Sequence, residues 1–231
     1  MQRFDAVLRW MGAVGIVLAP FGLFVLPNLM HPVTPSTAEE QFTAIAEGGG
    51  AGEFIALMSQ VGGAIFLLVA ALAIGSYVIA RRRGQTLGAI GLIIGAVAAI
   101  AMLLVLGFEL AMLPILISAT DTDAAVALVV DLSAGPAFAI PLMIGLVGFY
   151  FTLPLLALAL WRTGLVPIIV SLLFVLPLLI GIIPLPFDVA ILTGLLLLAP
   201  CLWMAVRLVV GPAVEIEPSA RLAPAGVPDE A

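Results

Sequence analysis

Long uncharged apolar runs recur along the whole sequence, and they constrain the fold more than any other feature. Residues 86–106 contain no charged side chain, and about 20 apolar residues in a helix cross the roughly 30 Å hydrocarbon core of a bilayer. Backbone N–H and C=O groups meet no water there and must pair within the segment. The runs lack the alternation of membrane barrel strands. The sequence therefore predicts an all-α, polytopic membrane helical bundle.

Six transmembrane helices are predicted. They cover about residues 8–30, 54–80, 86 to beyond 109, 138–160, 165–183 and 189–209. Hydrophobic residues make up 64% of the chain and charged residues only 10%, at a mean hydropathy of +1.31, which excludes a water-soluble fold. The first run lacks a small-residue cleavage site, so we expect a span rather than a removable signal peptide.

The arginines predict the orientation of these spans. All eight Lys and Arg residues are arginine, and they follow the even-numbered spans or precede the first. Because positive residues stay in the cytoplasm, six spans predict cytoplasmic N- and C-termini for a multi-pass protein of the bacterial cytoplasmic (inner) membrane. "ALAIGSYVIARRRG" and "LALALWRTG" end alike, so three helical hairpins are expected. The hairpins are either repeats or tight turns that independently select Arg and Gly.

Glu109 is the only charged residue between positions 84 and 120. It lies 26 residues after Arg83, or about 39 Å along a helix. A tilt of about 20° still leaves a rise of about 37 Å, which exceeds the hydrocarbon thickness. Glu109 is therefore predicted at the outer headgroup level rather than at the midplane.

Other polar residues are predicted at the same level, and together they form a candidate outer pocket. Its residues are His31, Gln60, Glu109, Asp131 and Asp188. The alternative is that these side chains merely reach water at helix ends, where polar residues are ordinary.

Residues 1–211 are predicted to form a single transmembrane domain with short interfacial helices on its outer face. An outer loop at residues 31–53 contains one of them, begun by a capping box from Ser36. An outer helical cap covers about residues 110–135, with Asp123 as the N-cap of its second piece. The tail at residues 212–231 is predicted to be disordered.

Glycines on the third span predict a close helix contact. Gly88, Gly91 and Gly95 recur at three- and four-residue spacing, which lets two helices approach closely. The partner helix belongs either to this chain or to another protein.

The sequence contains none of the motifs that mark an active site. A phosphate-binding Gly-rich loop, a dinucleotide fingerprint, H-E-x-x-H and G-x-S-x-G are all missing. One Cys and one His exclude a cysteine metal cluster. No catalytic, cofactor-binding or metal residues and no cofactors are therefore predicted. A net charge of −6 does not indicate a nucleic-acid partner.

The first half of the chain resembles small polytopic bacterial membrane-protein families of high-GC genomes, to which no activity is assigned. The resemblance rests on "NLMHP" and on "LMSQVGGAIFLLVAALAIGSYVIARRRG". It implies a membrane bundle and carries over no catalytic residue.

Two main hypotheses follow. The first is a non-enzymatic accessory or scaffold protein whose partners are the lipid bilayer and either another membrane protein or a second copy of itself. The second is a small transporter, channel or lipid- or small-molecule-binding protein with an outward-facing polar pocket. A membrane enzyme comes third because no nucleophile–base pair is present. A polar cavity that reaches past Gln60 would favour the second hypothesis.

Overall fold

The structure, a computed structural model, describes residues 2–30, 37–47, 50–177 and 189–211. Within these ranges all regular secondary structure is helical, which confirms the predicted all-α fold. The elements are α1 (Gln2–Pro20), a π-helical turn (Phe21–Val25), α2 (Leu26–Met30), α3 (Ala38–Glu47), α4 (Ala51–Ala80), α5 (Gln85–Ser118), α6 (Thr122–Ala134), α7 (Pro136–Arg162), α8 (Ile168–Leu173) and α9 (Val189–Val210). The predicted disordered tail at 212–231 lies outside the described residues.

Five helices in the described chain are long and apolar enough to cross a membrane. They are Phe4–Met30, which joins α1 to α2, then α4, α5, α7 and Leu192–Val210. The predicted fifth span, at 165–183, corresponds to a shorter apolar helix, Ile168–Pro177, which begins three residues later than predicted. Residues 178–183 of that prediction lie outside the described residues.

Arg9 ties the beginning of the first helix to the end of the last one. Its guanidinium donates hydrogen bonds to the backbone carbonyls of Leu208, of Val209 at 3.4 Å and of Gly211 at 2.5 Å. The final carbonyls of a helix have no donor within the helix, and the negative end of the helix dipole favours a cation. Arg9 therefore satisfies three acceptors and holds α1 against α9.

Replacing Arg9 with glutamine is expected to lower the free energy of unfolding by about 2–4 kcal/mol, because charged hydrogen bonds to partly buried carbonyls are lost. The control is Arg83→Gln, in the exposed turn after α4, with an expected change below about 0.5 kcal/mol. The measurement is tryptophan fluorescence while a denaturing detergent unfolds the protein in mild detergent micelles. Equal destabilisation by the two variants would contradict this role for Arg9.

Other arginines lie at the same end of the bundle as Arg9. The Arg81 guanidinium lies 3.5 Å from the Asp5 carboxylate and 4.2 Å from the centre of the Tyr77 ring. Arg207 Nε donates to the carbonyl of Leu165 at 3.0 Å. The start of α1, the end of α4, the turn after α7 and the end of α9 therefore meet here. We call this the arginine end, and we call the opposite end of the bundle the far end.

The first helix packs on α4 through direct backbone contact. A Cβ at Gly15 would lie 2.8 Å from backbone atoms of α4, and a Cβ at Gly63 would lie 2.7 Å from the backbone nitrogen of Leu23. Such spacing is possible only where both helices present glycine or another small residue. The contact made by Gly15 was not predicted from the sequence.

The glycine stripe of α5 also packs within the chain. A Cβ at Gly91 would lie 3.0 Å from the side chain of Leu156 on α7, and one at Gly95 would lie 2.6 Å from Ala71 on α4. Gly88 is buried against α4 in the same way. The described contacts of all three glycines are therefore intramolecular.

The region predicted as an outer helical cap is divided differently from the prediction. Its first half is the continuation of α5, which runs unbroken to Ser118, and its second half is α6. The N-cap of α6 is Asp121 and not Asp123, since the Asp121 carboxylate accepts a hydrogen bond from the Ala124 N–H at 3.1 Å. An N-cap side chain reaches the second or third helical N–H, and Ala124 is the third residue of α6.

The short helix α3 lies in the predicted outer loop and packs against α5 and α6. Its N-terminus is capped by Thr37, whose hydroxyl oxygen accepts a hydrogen bond from the Glu40 N–H at 3.1 Å. Ser36, which the sequence analysis predicted as the cap, lies outside the described residues. The observed N-cap is therefore one residue further along the chain, at Thr37.

Candidate functional site

A cavity of about 670 Å³ occupies the far end of the bundle. It lies between the end of the first helix, α3 and the first turns of α4, with α5 and α7 closing the other side. Most of its lining is apolar, and its polar lining residues are Asn28, Gln41, Glu53, Gln60 and Glu109. A second cavity of about 240 Å³ lies under α6 and also has Gln41, Glu53 and Glu109 in its wall. The two carboxylates therefore lie where the cavities adjoin.

The polar lining reaches well into the bundle. Gln60 lies seven residues after Glu53 on α4, and the apolar Met102 lies seven residues before Glu109 on α5. Seven helical residues correspond to about 10 Å of rise. The large cavity therefore extends about 10 Å from the level of the carboxylates towards the arginine end.

Gly50 positions Glu53 at the cavity. It has a φ of 70° in the left-handed region, and a Cβ there would collide with Ile117 of α5. Its carbonyl accepts a hydrogen bond from the Phe54 N–H at 2.9 Å, which starts α4. Glu53 therefore falls in the first turn of α4, where the helix dipole favours a negative charge, and faces the cavity wall that includes Glu109 of α5.

The first helix changes to a π-helical turn where it borders the large cavity. In this turn the Leu26 N–H donates to the Phe21 carbonyl, five residues back. Pro27 has no N–H, so it cannot donate to Gly22 in the same register. The Ser59 hydroxyl of α4 lies 3.2 Å from the Gly22 carbonyl, within hydrogen-bond reach. Such π turns recur at functional sites in proteins.

Asn28 follows this turn and lines the large cavity. Its amide nitrogen donates to the Phe24 carbonyl at 2.6 Å, and this bond fixes the orientation of the side-chain amide. The remaining amide oxygen is an acceptor. The polar groups of the site therefore include two carboxylates and an oriented amide.

Aromatic rings border both cavities. Phe24 lines the large cavity, and its ring centre is 5.0 Å from that of Phe149. Phe108 and Phe138 line the small one with centres 5.2 Å apart. Aromatic faces attract cations, so these rings and the carboxylates favour the same sign of ligand charge.

All the charged side chains in the described lining of the two cavities are acidic. No residue in the described lining of either cavity is basic. The described arginines with known side-chain contacts lie at the arginine end. A carboxylate within a membrane-spanning helix is costly unless a cation, water or proton compensates it. The site is therefore electrostatically suited to a cation.

The structure brings together two of the five residues predicted for the outer pocket. Gln60 and Glu109 line the same cavity. Asp131 is exposed on α6 and lines neither cavity. His31 and Asp188 lie outside the described residues. Glu53 was missed because it reads as one more acidic residue of a polar loop, although its position just after three glycines indicates a helix start.

The described residues include no group of three His, Cys, Asp or Glu side chains that could hold a metal ion. The cavity can provide charge, hydrogen-bond acceptors and apolar walls.

Comparison with protein-family models, curated proteins and solved structures finds no significant match for this chain. The resemblance to small polytopic bacterial membrane proteins therefore stays a prediction.

Proposed function

We propose that this chain is a non-enzymatic multi-pass protein of the bacterial cytoplasmic membrane that binds a small organic cation with apolar substituents. The ligand would occupy the far-end cavity, which faces the outer side. The observation that carries the proposal is that Glu53 and Glu109, from two different helices, line one apolar-walled cavity whose described lining has no basic residue.

The orientation follows from the arginine end. Positive residues stay on the cytoplasmic side, so the far end faces outward and both termini are cytoplasmic. The length of α9 supports a sixth span. Arg207 contacts Leu165, and Val189 lies 18 residues before Arg207, or about 27 Å along α9. Leu165 therefore lies at the arginine end and Val189 near the far end, which is the arrangement that three hairpins require.

The volume of the cavity and the charge of its lining indicate the class of ligand. A volume of about 670 Å³ falls within the usual range for small-molecule sites, about 300–1,000 Å³. An anion would face two carboxylates in a low-dielectric setting, where like charges repel strongly. A cation without apolar groups would leave most of the lining unmatched. An ammonium or phosphonium with hydrocarbon substituents satisfies both parts of the site.

The scaffold hypothesis has less support from these contacts. One of its sequence features is the glycine stripe of α5, whose described contacts lie within the chain. Binding to a membrane-protein partner, or to a second copy as a homo-oligomer, stays a prediction. The cavity, by contrast, extends as far as Gln60, the last residue of α4 in its lining, and this polar lining supports a small-molecule-binding protein.

The test compares two probes of similar shape and opposite charge, tetraphenylphosphonium and tetraphenylborate, by equilibrium dialysis against protein in lipid nanodiscs. Protein-free nanodiscs correct for partitioning into lipid. Saturable binding of the phosphonium is expected, with no saturable binding of the borate. Glu109→Gln is expected to weaken phosphonium binding by about 10-fold or more, since about 1.4 kcal/mol of attraction is lost.

Asp131→Asn is the matched control because it removes one carboxylate from the exposed surface of α6. Its phosphonium affinity should equal that of the wild type. Equal binding of both probes, or an equal loss in both variants, would exclude the proposed site.

A further inference from the structure

We infer that the arginine end carries a separate binding site for the headgroup of an anionic phospholipid. A cleft of about 510 Å³ lies between the turn after α7 and the end of α9. Its lining consists of Trp161, Gly164, Val166, Pro167, Trp203 and Arg207. This cleft lies at the opposite end of the bundle from the acidic cavity and does not depend on the function proposed for that cavity.

Arg207 provides an oriented cation at this cleft. Its Nε–H donates to the Leu165 carbonyl at 3.0 Å, which holds the plane of the guanidinium against the turn. The two terminal amino groups lie beyond this bond on an exposed side chain. A guanidinium presents paired donors that match two oxygens of a phosphate. The Leu165 contact therefore prepares Arg207 to hold a phosphodiester.

A second arginine adds positive charge beside the cleft. The Arg162 guanidinium lies 5.1 Å from the centre of the Trp161 ring, and that ring is part of the lining. Stacking on an aromatic ring restricts where this charge can lie. Two cations at the edge of one cleft match a ligand with a net negative charge.

The tryptophans indicate that the ligand is a lipid rather than a free phosphate. Trp161 and Trp203 are 37% and 43% exposed, and tryptophan concentrates at the level of lipid headgroups. Exposed apolar side chains continue from the cleft along the bundle surface, among them Ile169 and Val206. Acyl chains could lie on that surface while the phosphate contacts Arg207. Basic pockets between helices on the cytoplasmic side are typical sites for anionic headgroups.

The experiment is native mass spectrometry of the full chain, exchanged from mild detergent into mixtures of phosphatidylglycerol and phosphatidylcholine. The wild-type protein should retain phosphatidylglycerol at least about 5-fold more often than phosphatidylcholine at equal concentrations. Arg207→Gln should remove most of this preference and Arg207→Lys should keep part of it. Arg83→Gln, an equal loss of charge at the same end, should leave the preference unchanged.

Two further measurements keep the inference testable if Arg207→Gln fails to fold. Trp203→Ala removes an exposed ring of the lining and leaves the Arg207–Leu165 bond intact, so it should reduce phosphatidylglycerol retention while the protein remains folded. Adding inorganic phosphate at millimolar concentration should not displace the lipid. Displacement by phosphate would identify a phosphate site instead, and no lipid preference in the wild type would overturn the inference.

Discussion

Replacing Gly63 with leucine is expected to separate the first helix from α4 and to lower the free energy of unfolding by about 3 kcal/mol or more. A Cβ at this position would lie 2.7 Å from the backbone nitrogen of Leu23 and 2.9 Å from the carbonyl oxygen of Ala19. These are backbone atoms, which move only if the whole helix moves. The rest of a leucine side chain increases the displacement.

The adjacent residue offers a matched control. A Cβ at Gly62 has no described atom within 4 Å, so Gly62→Leu adds the same side chain to the same turn of α4 without a collision. Replacing glycine within a helix also gains up to about 1 kcal/mol of helix propensity, and both variants share this gain. Opposite signs are therefore expected when the two variants are unfolded in detergent micelles and followed by tryptophan fluorescence. A tolerated leucine at position 63 would show that α1 and α4 are not in backbone contact.

The positions of five of the six predicted spans could be read from the sequence because they depend on one-dimensional properties, whereas the sixth corresponds to a shorter helix in the described chain. Run length must match the bilayer, and arginines mark the ends of runs. The predicted second span at 54–80 and the observed α4 at Ala51–Ala80 differ only at the start. The continuation of α5 to Ser118 was missed because Pro114 reads as a break. Proline is tolerated within a membrane helix when neighbouring groups satisfy the freed carbonyl.

The packing faces of the helices were harder to predict. In a water-soluble bundle the apolar stripe of each helix identifies the buried side. A helix in lipid is apolar all round, so Ile93 on the exposed side of α5 looks like Leu106 on its buried side. Only small residues distinguish the faces, which is why Gly88, Gly91 and Gly95 were recognised. Gly15 and Gly63 carry the same signal, but their pairing across two helices requires coordinates.

The cavity could be predicted only in part, for the same physical reason. Counting residues from an arginine gives the height of a side chain in the membrane but not the direction in which it points. Gln60, Glu109 and Asp131 were therefore assigned to one level, and only the first two line a common cavity. Glu53 lies at that level too, and its inclusion depends on where Gly50 starts α4. The depth of a side chain along the bundle can be predicted from the sequence, whereas the direction in which it points around its helix depends on how the helices pack.

Cysteine labelling from the two sides of the membrane is expected to give an all-or-none result that tests the orientation. The native Cys201 is buried, so single cysteines at exposed positions can be read against a nearly silent background. Arg82→Cys lies in the turn at the arginine end, and Thr120→Cys lies in the turn between α5 and α6. A membrane-impermeant maleimide added to intact spheroplasts should label position 120 and not position 82.

Permeabilising the membrane should make both positions reactive. This control distinguishes a thiol that is buried within the protein from one that the sealed membrane protects. Labelling of both sites in sealed spheroplasts would mean that the two turns share a compartment. That outcome would remove the outward orientation of the acidic cavity while leaving its chemistry intact. Exclusive labelling of position 82 would instead reverse the bundle and place the arginines outside, against the charge bias that governs insertion. The expected pattern, with 120 labelled first and 82 only after lysis, places Glu53 and Glu109 near the outer surface, where a cation can reach them without crossing the bilayer.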